Sequence, residues 1–257
     1  MKGSVVSMMN EYICMRGGMK IYCRAYVPDI GRKKYPTVIM CHGFNGSYKG
    51  NIKYSDVLTG FGIACVMFDF CGGSINSRSD GKMIDMTVSS ETEDLKSVIA
   101  FVKKLEFADA DNLFIMGKSQ GGAVAALTAA DIPEQIIGLV LLYPAFTIPY
   151  TARKVRRQFS VLPEKYELLG GVAGREYMYD ALELDIDKCF ENYCGPVLIL
   201  HGDNDDIVPL RSSERAEKRY KNAELKIISG AGHGFSGRTA EAAGKLIAGF
   251  IVKNIAE

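Results

Sequence analysis

The sequence predicts an α/β fold, with a mostly parallel eight-stranded sheet flanked by helices, and three observations carry that prediction. Short runs rich in β-branched and aromatic residues alternate with longer stretches of helical periodicity. Several runs, such as residues 37–41 (TVIMC), are apolar without interruption, as strands buried on both faces are. The length, 257 residues, suits one α/β core spanning residues 1–257.

Taken in order, residues 11–15 and 19–27 read as two opening strands joined at Gly17-Gly18 in a hairpin. Further strands are expected at 37–41, 64–68, 113–116, 138–142, 197–200 and 225–228. Helical patterns lie near 88–105, 120–131, 212–220 and 239–255. Two segments break the rhythm. Residues 71–82 (CGGSINSRSDGK) are polar and Gly/Ser-rich, hence a loop. Residues 147–194 separate two strands by far more than a crossover needs. They hold a basic patch (Arg153, Lys154, Arg156, Arg157) and the aromatics Tyr150, Phe159, Tyr166, Tyr177 and Tyr179. An insertion of this size at the sheet's carboxyl edge reads as a lid.

Composition narrows the partner. Apolar residues are 47% and charged residues 24%, with a net charge of +1. That balance offers no field for nucleic acid or an anionic membrane, so the expected partner is a small molecule. Seven scattered cysteines without a CxxC pair are expected to be reduced, in a cytoplasmic protein. The opening MKGSVVSMMNEY lacks the apolar core of a secretory signal. The longest apolar candidate, 136–149, is interrupted by Gly138 and Pro144, so no stable membrane association is expected. Three scattered histidines make no metal cluster, and neither a metal nor a cofactor is expected. A homodimer is compatible with the sequence.

The chemistry concentrates at Gly117-Lys118-Ser119-Gln120-Gly121. A strand precedes this G-x-S-x-G and a small-residue helix follows, which is the setting of a nucleophile elbow. The serine sits on a strained turn, and a Cβ at either glycine would strike a neighbouring element. A phosphate loop is excluded because Asn112 stands where its first glycine is required.

Serine needs a base. His42 and His201 each precede a glycine at a strand end, where a ring can simply bond loop backbone. His233 follows the last strand in a glycine-rich loop and fits the chain order serine, acid, histidine. The acid belongs on the turn His201-Gly202-Asp203-Asn204-Asp205-Asp206-Ile207-Val208-Pro209, which offers three aspartates. Periodicity does not choose among them. Backbone N–H donors for an oxyanion are expected from Gln120, directly after the serine, and from Phe44 in the loop 42–46.

On His42-Gly43-Phe44, the Ser119 elbow with Gln120-Gly121-Gly122, the turn 201–209 and Gly232-His233, the chain resembles bacterial α/β-hydrolase esterases with a compact lid. It is similar to the cinnamoyl (feruloyl) esterases and the related monoacylglycerol-lipase and serine-aminopeptidase-like group. The likeness spans residues 18–255. It implies Asp205 as the acid, being the fifth residue of the family's His-Gly-x-x-Asp-x-x-Val-Pro turn, and Phe44 and Gln120 as oxyanion donors. Lys118 departs from the histidine common before the nucleophile, and its side chain is expected to point away from the acyl pocket. The loop 71–74 departs as well. Tyr150, Tyr177 and Val208 are the candidate substrate contacts.

The implied activity is that of a serine carboxylesterase acting on small acyl esters, with hydroxycinnamate esters as one candidate. An acylglycerol lipase or aminopeptidase would use the same triad. The aminopeptidase would need an acid in the pocket, from Asp180, Glu183 or Asp185. A non-enzymatic receptor on this fold would be expected to have lost a triad member, and none is lost.

Overall fold

Gly17 and Gly18 both take positive φ (51° and 91°) in the computed structural model, which describes residues 7–256. Positive φ at both central residues matches the right-handed twist of paired strands. Strands β1 (Ser7–Arg16) and β2 (Met19–Pro28) accordingly pair in register over their whole lengths. Residues 1–6, part of the opening segment read above as lacking a secretory core, lie outside the described residues.

The chain continues through β3 (Tyr35–Cys41), α1 (Ile52–Gly60), β4 (Ala64–Phe68), α2 (Val88–Val102), β5 (Ala108–Lys118), α3 (Gln120–Asp131) and β6 (Gly138–Leu142). The insertion follows as α4 (Ile148–Arg156), the small hairpin β7 (Lys165–Leu168) and β8 (Gly171–Gly174), α5 (Arg175–Glu183) and α6 (Ile186–Asn192). Last come β9 (Val197–Gly202), α7 (Arg211–Arg219), β10 (Ala223–Ile228) and α8 (Gly237–Lys253). Eight strands form one sheet in the order β1-β2-β4-β3-β5-β6-β9-β10, parallel from β4 onward.

Alternation along each strand feeds two cores. On β3, Ile39 and Cys41 face α2 and α3, whereas Val38 and Met40 face α1 and α8. Both sides are buried, and Cys41 and Cys65 pack there as small hydrophobes. All seven cysteines are free and six are buried.

The eight expected strands are present, with extended ends. β5 begins at Ala108, five residues ahead of its apolar run, because Ala108 pairs with Tyr35 across a register shift. Periodicity missed helix α1, and it also gave no elements within 147–194, where α4, β7, β8, α5 and α6 lie. The buried face of α1 includes Ser55 and Thr59, which read as polar, yet their hydroxyls donate back to Ile52 O (2.7 Å) and Ser55 O (2.8 Å). Helix α6 packs Cys189 and Phe190 into the main core beside α3. The insertion residues that line the cavity beside Ser119 fall within 147–181, and none belongs to α6. No described helix is long and apolar enough to cross a membrane.

Candidate active site

The end of β5 is where local geometry becomes chemical. Ser119 has φ 52° and ψ −123°, a region that non-glycine residues rarely occupy. Its neighbour β6 holds it there: Ser119 N–H donates to Leu142 O (3.0 Å) and Ala145 N–H donates to Ser119 O (2.9 Å). The flanking glycines are required by close approach. A Cβ on Gly117 would stand 2.1 Å from Gly121 O, and one on Gly121 would stand 2.1 Å from His42 O. The hydroxyl is thereby lifted to the start of α3.

Across the sheet's edge, the turn after β9 presents Asp205. Its Oδ1 accepts from the N–H groups of Ile207 (2.9 Å) and Val208 (2.8 Å), which fixes the carboxyl plane. Its Oδ2 accepts from His233 Nδ1 at 2.8 Å, and His233 Nε2 lies 2.9 Å from Ser119 Oγ. With Nδ1 carrying the proton, Nε2 is free to accept from the serine hydroxyl. The Tyr143 ring packs edge-to-face with His233, centroids 4.8 Å apart, which restricts the imidazole's rotation. Ser119, Asp205 and His233 are thus brought into one line from three loops. The other two aspartates of the turn are elsewhere. Asp203 accepts from Gly230 N–H (2.7 Å) and pins the two loops together, while Asp206 is exposed.

The remaining histidines are fixed structural groups: His42 bonds backbone alone, while His201 Nε2 also lies 3.2 Å from Asp205 Oδ2. His42 is fully buried, bonding Gly43 O through Nδ1 (2.8 Å) and accepting from Phe70 N–H through Nε2 (3.0 Å). Burial first, and the Lys118 charge second, push its pKa down to about 4, so it stays neutral. His201 bonds Val208 O (2.9 Å) and Ser213 Oγ (2.7 Å), and burial lowers its pKa too.

Gln120 is the first residue of α3, so its backbone N–H has no acceptor within the helix. Phe44, on the loop after β3, lines the same cavity as Ser119 and Gln120. That cavity has a volume of about 270 Å³ and is walled mostly by apolar side chains of the insertion. Helix α4 contributes Ile148, Thr151, Ala152 and Val155, one face at helical spacing. Tyr177 and Val208 line it as expected.

Tyr150 does not, and that expectation is corrected. It lies on the opposite face of α4, 66% exposed, in a shallow surface depression with Arg153 and Asp185. Two residues past Ile148 is more than half a helical turn, which carries the side chain outward. Nor do the three acids of the insertion line the cavity. Asp180 accepts from Ser89 N–H (3.0 Å) at the start of α2, Asp185 caps α6, and Glu183 is exposed. The one carboxylate on its wall among the described residues is the exposed Glu167. Lys118 is absent from the wall, as expected. Its Nζ lies 2.4 Å from where a Gly50 Cβ would stand. No cluster of three metal-ligating side chains occurs among the described residues.

Two residues that matter to the cavity escaped sequence reading. Glu91 is a buried carboxyl on α2 behind the elbow, and Tyr166 is a cavity-wall tyrosine whose buried hydroxyl has no hydrogen-bond partner among the described residues. For Tyr166 the aromatic richness of the insertion was the available signal. For Glu91 there was none, because a glutamate on an amphipathic helix ordinarily faces water.

Comparison with known proteins agrees with this architecture. The chain is 25% identical over 231 residues to the mitochondrial palmitoyl-protein thioesterase ABHD10 of Homo sapiens, covering 80% of this chain and 70% of that protein. It is 28% identical over 170 residues to a proline iminopeptidase of Saccharolobus solfataricus, covering 63% of this chain but only about half (51%) of that one. Among solved structures, Est1E from Butyrivibrio proteoclasticus with ferulic acid bound superposes with a TM-score of 0.88 at 28% identity, covering 96% of this chain and 100% of Est1E. A TAP-like protein model matches residues 186–255. The serine aminopeptidase S33 model matches residues 32–172, more than half of the chain, and the chain belongs to that family of serine hydrolases with the α/β-hydrolase fold.

Proposed function

We propose that this chain is a serine carboxylesterase acting on small acyl esters through Ser119, His233 and Asp205. The single observation carrying the reading is the unbroken relay from Ser119 Oγ through His233 (2.9 Å) to Asp205 (2.8 Å), opening on an apolar cavity. His233 Nε2 takes the hydroxyl proton as Ser119 Oγ attacks the acyl carbon. Asp205 holds the ring tautomer and steadies the imidazolium that forms. The N–H groups of Phe44 and Gln120 receive the oxyanion, a contribution of about 3–4 kcal/mol per donor in other enzymes. His233 then protonates the leaving alcohol, and a water activated by the same ring releases the acid.

Within the ester class, a hydroxycinnamate is the acyl group best matched to the cavity. Its walls suit a flat apolar body, and the unpartnered Tyr166 hydroxyl suits a polar group at the far end. Likeness to Est1E with ferulic acid supports the same choice. An aminopeptidase reading lacks a buried acid for a free amino group, since Glu167 is exposed to solvent. Segment 148–183 is read as the lid over Ser119.

Ser119→Ala should abolish both p-nitrophenyl ester hydrolysis and fluorophosphonate labelling, a loss of about 10³-fold or more. Retained labelling would sink the nucleophile. A panel of hydroxycinnamate esters, short aliphatic esters, monoacylglycerols and aminoacyl amides ranks the substrate classes.

A further inference from the structure

Gln120 lines the cavity beside Ser119, and its side chain belongs to a buried polar chain. Tyr177 OH, from the insertion, donates to Gln120 Oε1 at 2.7 Å. Gln120 Nε2 donates to Glu91 Oε2 at 2.9 Å, with Met86 Sδ 3.7 Å away. All three side chains are at least nine-tenths buried. Both hydrogen-bonding ends of the Gln120 amide are thus occupied, one by the insertion and one by α2. The Tyr177 ring also meets the Phe44 ring edge-on, with centroids 6.0 Å apart. One residue of the insertion therefore touches both residues assigned to the oxyanion. A turn further along α5, Asp180 accepts from Ser89 N–H at the start of α2 (3.0 Å), and Ile84 O approaches Gly174 so closely that a Cβ there would lie 1.9 Å away. The α5 side of the insertion is bolted to the frame behind the elbow.

We propose that Tyr177 and Glu91 are positioning residues for the oxyanion donors, Tyr177 through the Gln120 side chain and the Phe44 ring, Glu91 through Gln120. The physical reason is a division of labour. Ser119 O accepts from the N–H groups of Gly122, Ala123 and Ala145, which orients the planar peptide carrying the Gln120 N–H. An amide side chain clamped at both ends holds the Gln120 Cα on the other side of that peptide in place. In a buried setting such a chain keeps its geometry, because an unpaired amide there is costly. The same bond occupies the Tyr177 hydroxyl proton, leaving the ring as its contribution to the cavity wall. Burial raises the Glu91 carboxyl well above the usual carboxylate range, the direction that disfavours a full charge beside the oxyanion donors.

This inference rests on Ser119 as nucleophile, and the test separates the two. Wild-type protein that neither hydrolyses p-nitrophenyl acetate nor reacts with a fluorophosphonate removes the hydrolase reading and this inference together. With wild type active, Tyr177→Phe is expected to lower kcat and the fluorophosphonate labelling rate about tenfold, with KM within twofold. Glu91→Leu is expected to do the same, and Glu91→Gln, which keeps an acceptor for Gln120 Nε2, recovers most of the loss. In a Gln120→Leu background Tyr177→Phe is expected to add less than in the wild type, since both break one chain. A Tyr177→Phe enzyme with full kcat and a raised KM would make Tyr177 a substrate contact and overturn the proposal. So would effects of Tyr177→Phe and Gln120→Leu that simply multiply. If Tyr177→Phe melts well below the wild type, the Glu91→Leu and Glu91→Gln pair decides: equal losses in both overturn the assignment.

Discussion

The rim of the sheet and the insertion above it are built by different means. On the rim, Ser119, Asp205 and His233 are each held by backbone: a strained elbow locked to β6, two N–H bonds to a carboxyl, and a loop pinned by Asp203. In the insertion, the cavity wall is made by side-chain packing, with Ala152 and Val155 of α4 facing Tyr177 and Met178 of α5. Backbone constraints tolerate few sequences, while packing tolerates many of similar volume. The rim can therefore keep one chemistry while the insertion changes what is admitted.

Three perturbations press on that contrast. The largest effect is expected at the rim. Asp205→Asn should slow ester turnover roughly 10³–10⁴-fold by spoiling the His233 tautomer, whereas Asp203→Asn should cost only a few-fold through the pinned loop. Steady-state kinetics on one short ester compares them, and the reverse order would move the acid.

A smaller effect is expected from the insertion, and it should be selective. Ala152→Phe adds a ring to the cavity of about 270 Å³ and should raise KM for hydroxycinnamate esters about tenfold or more. Turnover of p-nitrophenyl acetate should stay within a few-fold. Tyr150→Ala, on the outer face of the same helix, should change neither. Equal losses on both esters would mean the wall supports the rim rather than choosing the substrate.

The smallest effect concerns Lys118, next to Ser119 but off the wall. Burial, and then the neighbouring Lys53 charge, push its pKa down to about 8 from the ordinary 10.5. Between those values the unfolded chain binds a proton that the folded chain does not, so the penalty is full below pH 8 and fades towards 10.5. Lys118→Met should raise the melting temperature at pH 7 by about 2–4 °C. Thermal melts across pH 7–10 should show that gain narrowing above pH 8; a gain that is flat with pH would show the amine is not buried as a cation.

Much of the rim was legible because its residues satisfy local rules. Gly117 and Gly121 announce the elbow by needing no Cβ, and the apolar run before Ser119 announces the strand. The order of Asp205 and His233 along the chain follows from the order of the strands they terminate. Choosing Asp205 over Asp203 and Asp206 needed the family likeness, since three aspartates on one turn look alike in sequence. Helix α1 was hidden because Ser55 and Thr59 are buried with their hydroxyls turned back on the helix. Tyr150 was mistaken for a wall residue because aromatic content carries no direction, whereas the spacing of Ile148, Ala152 and Val155 does.

The sequence by itself determined the sheet and the elbow that carries Ser119, since periodicity and glycine sterics are local properties. Family likeness, not the bare sequence, singled out Asp205, and the tertiary structure decided which face of α4 looks onto Ser119. It also decided that Tyr177 and Glu91 meet across Gln120. Those are contacts between segments far apart in the chain, and no local pattern encodes the distance between two side chains that only folding brings together.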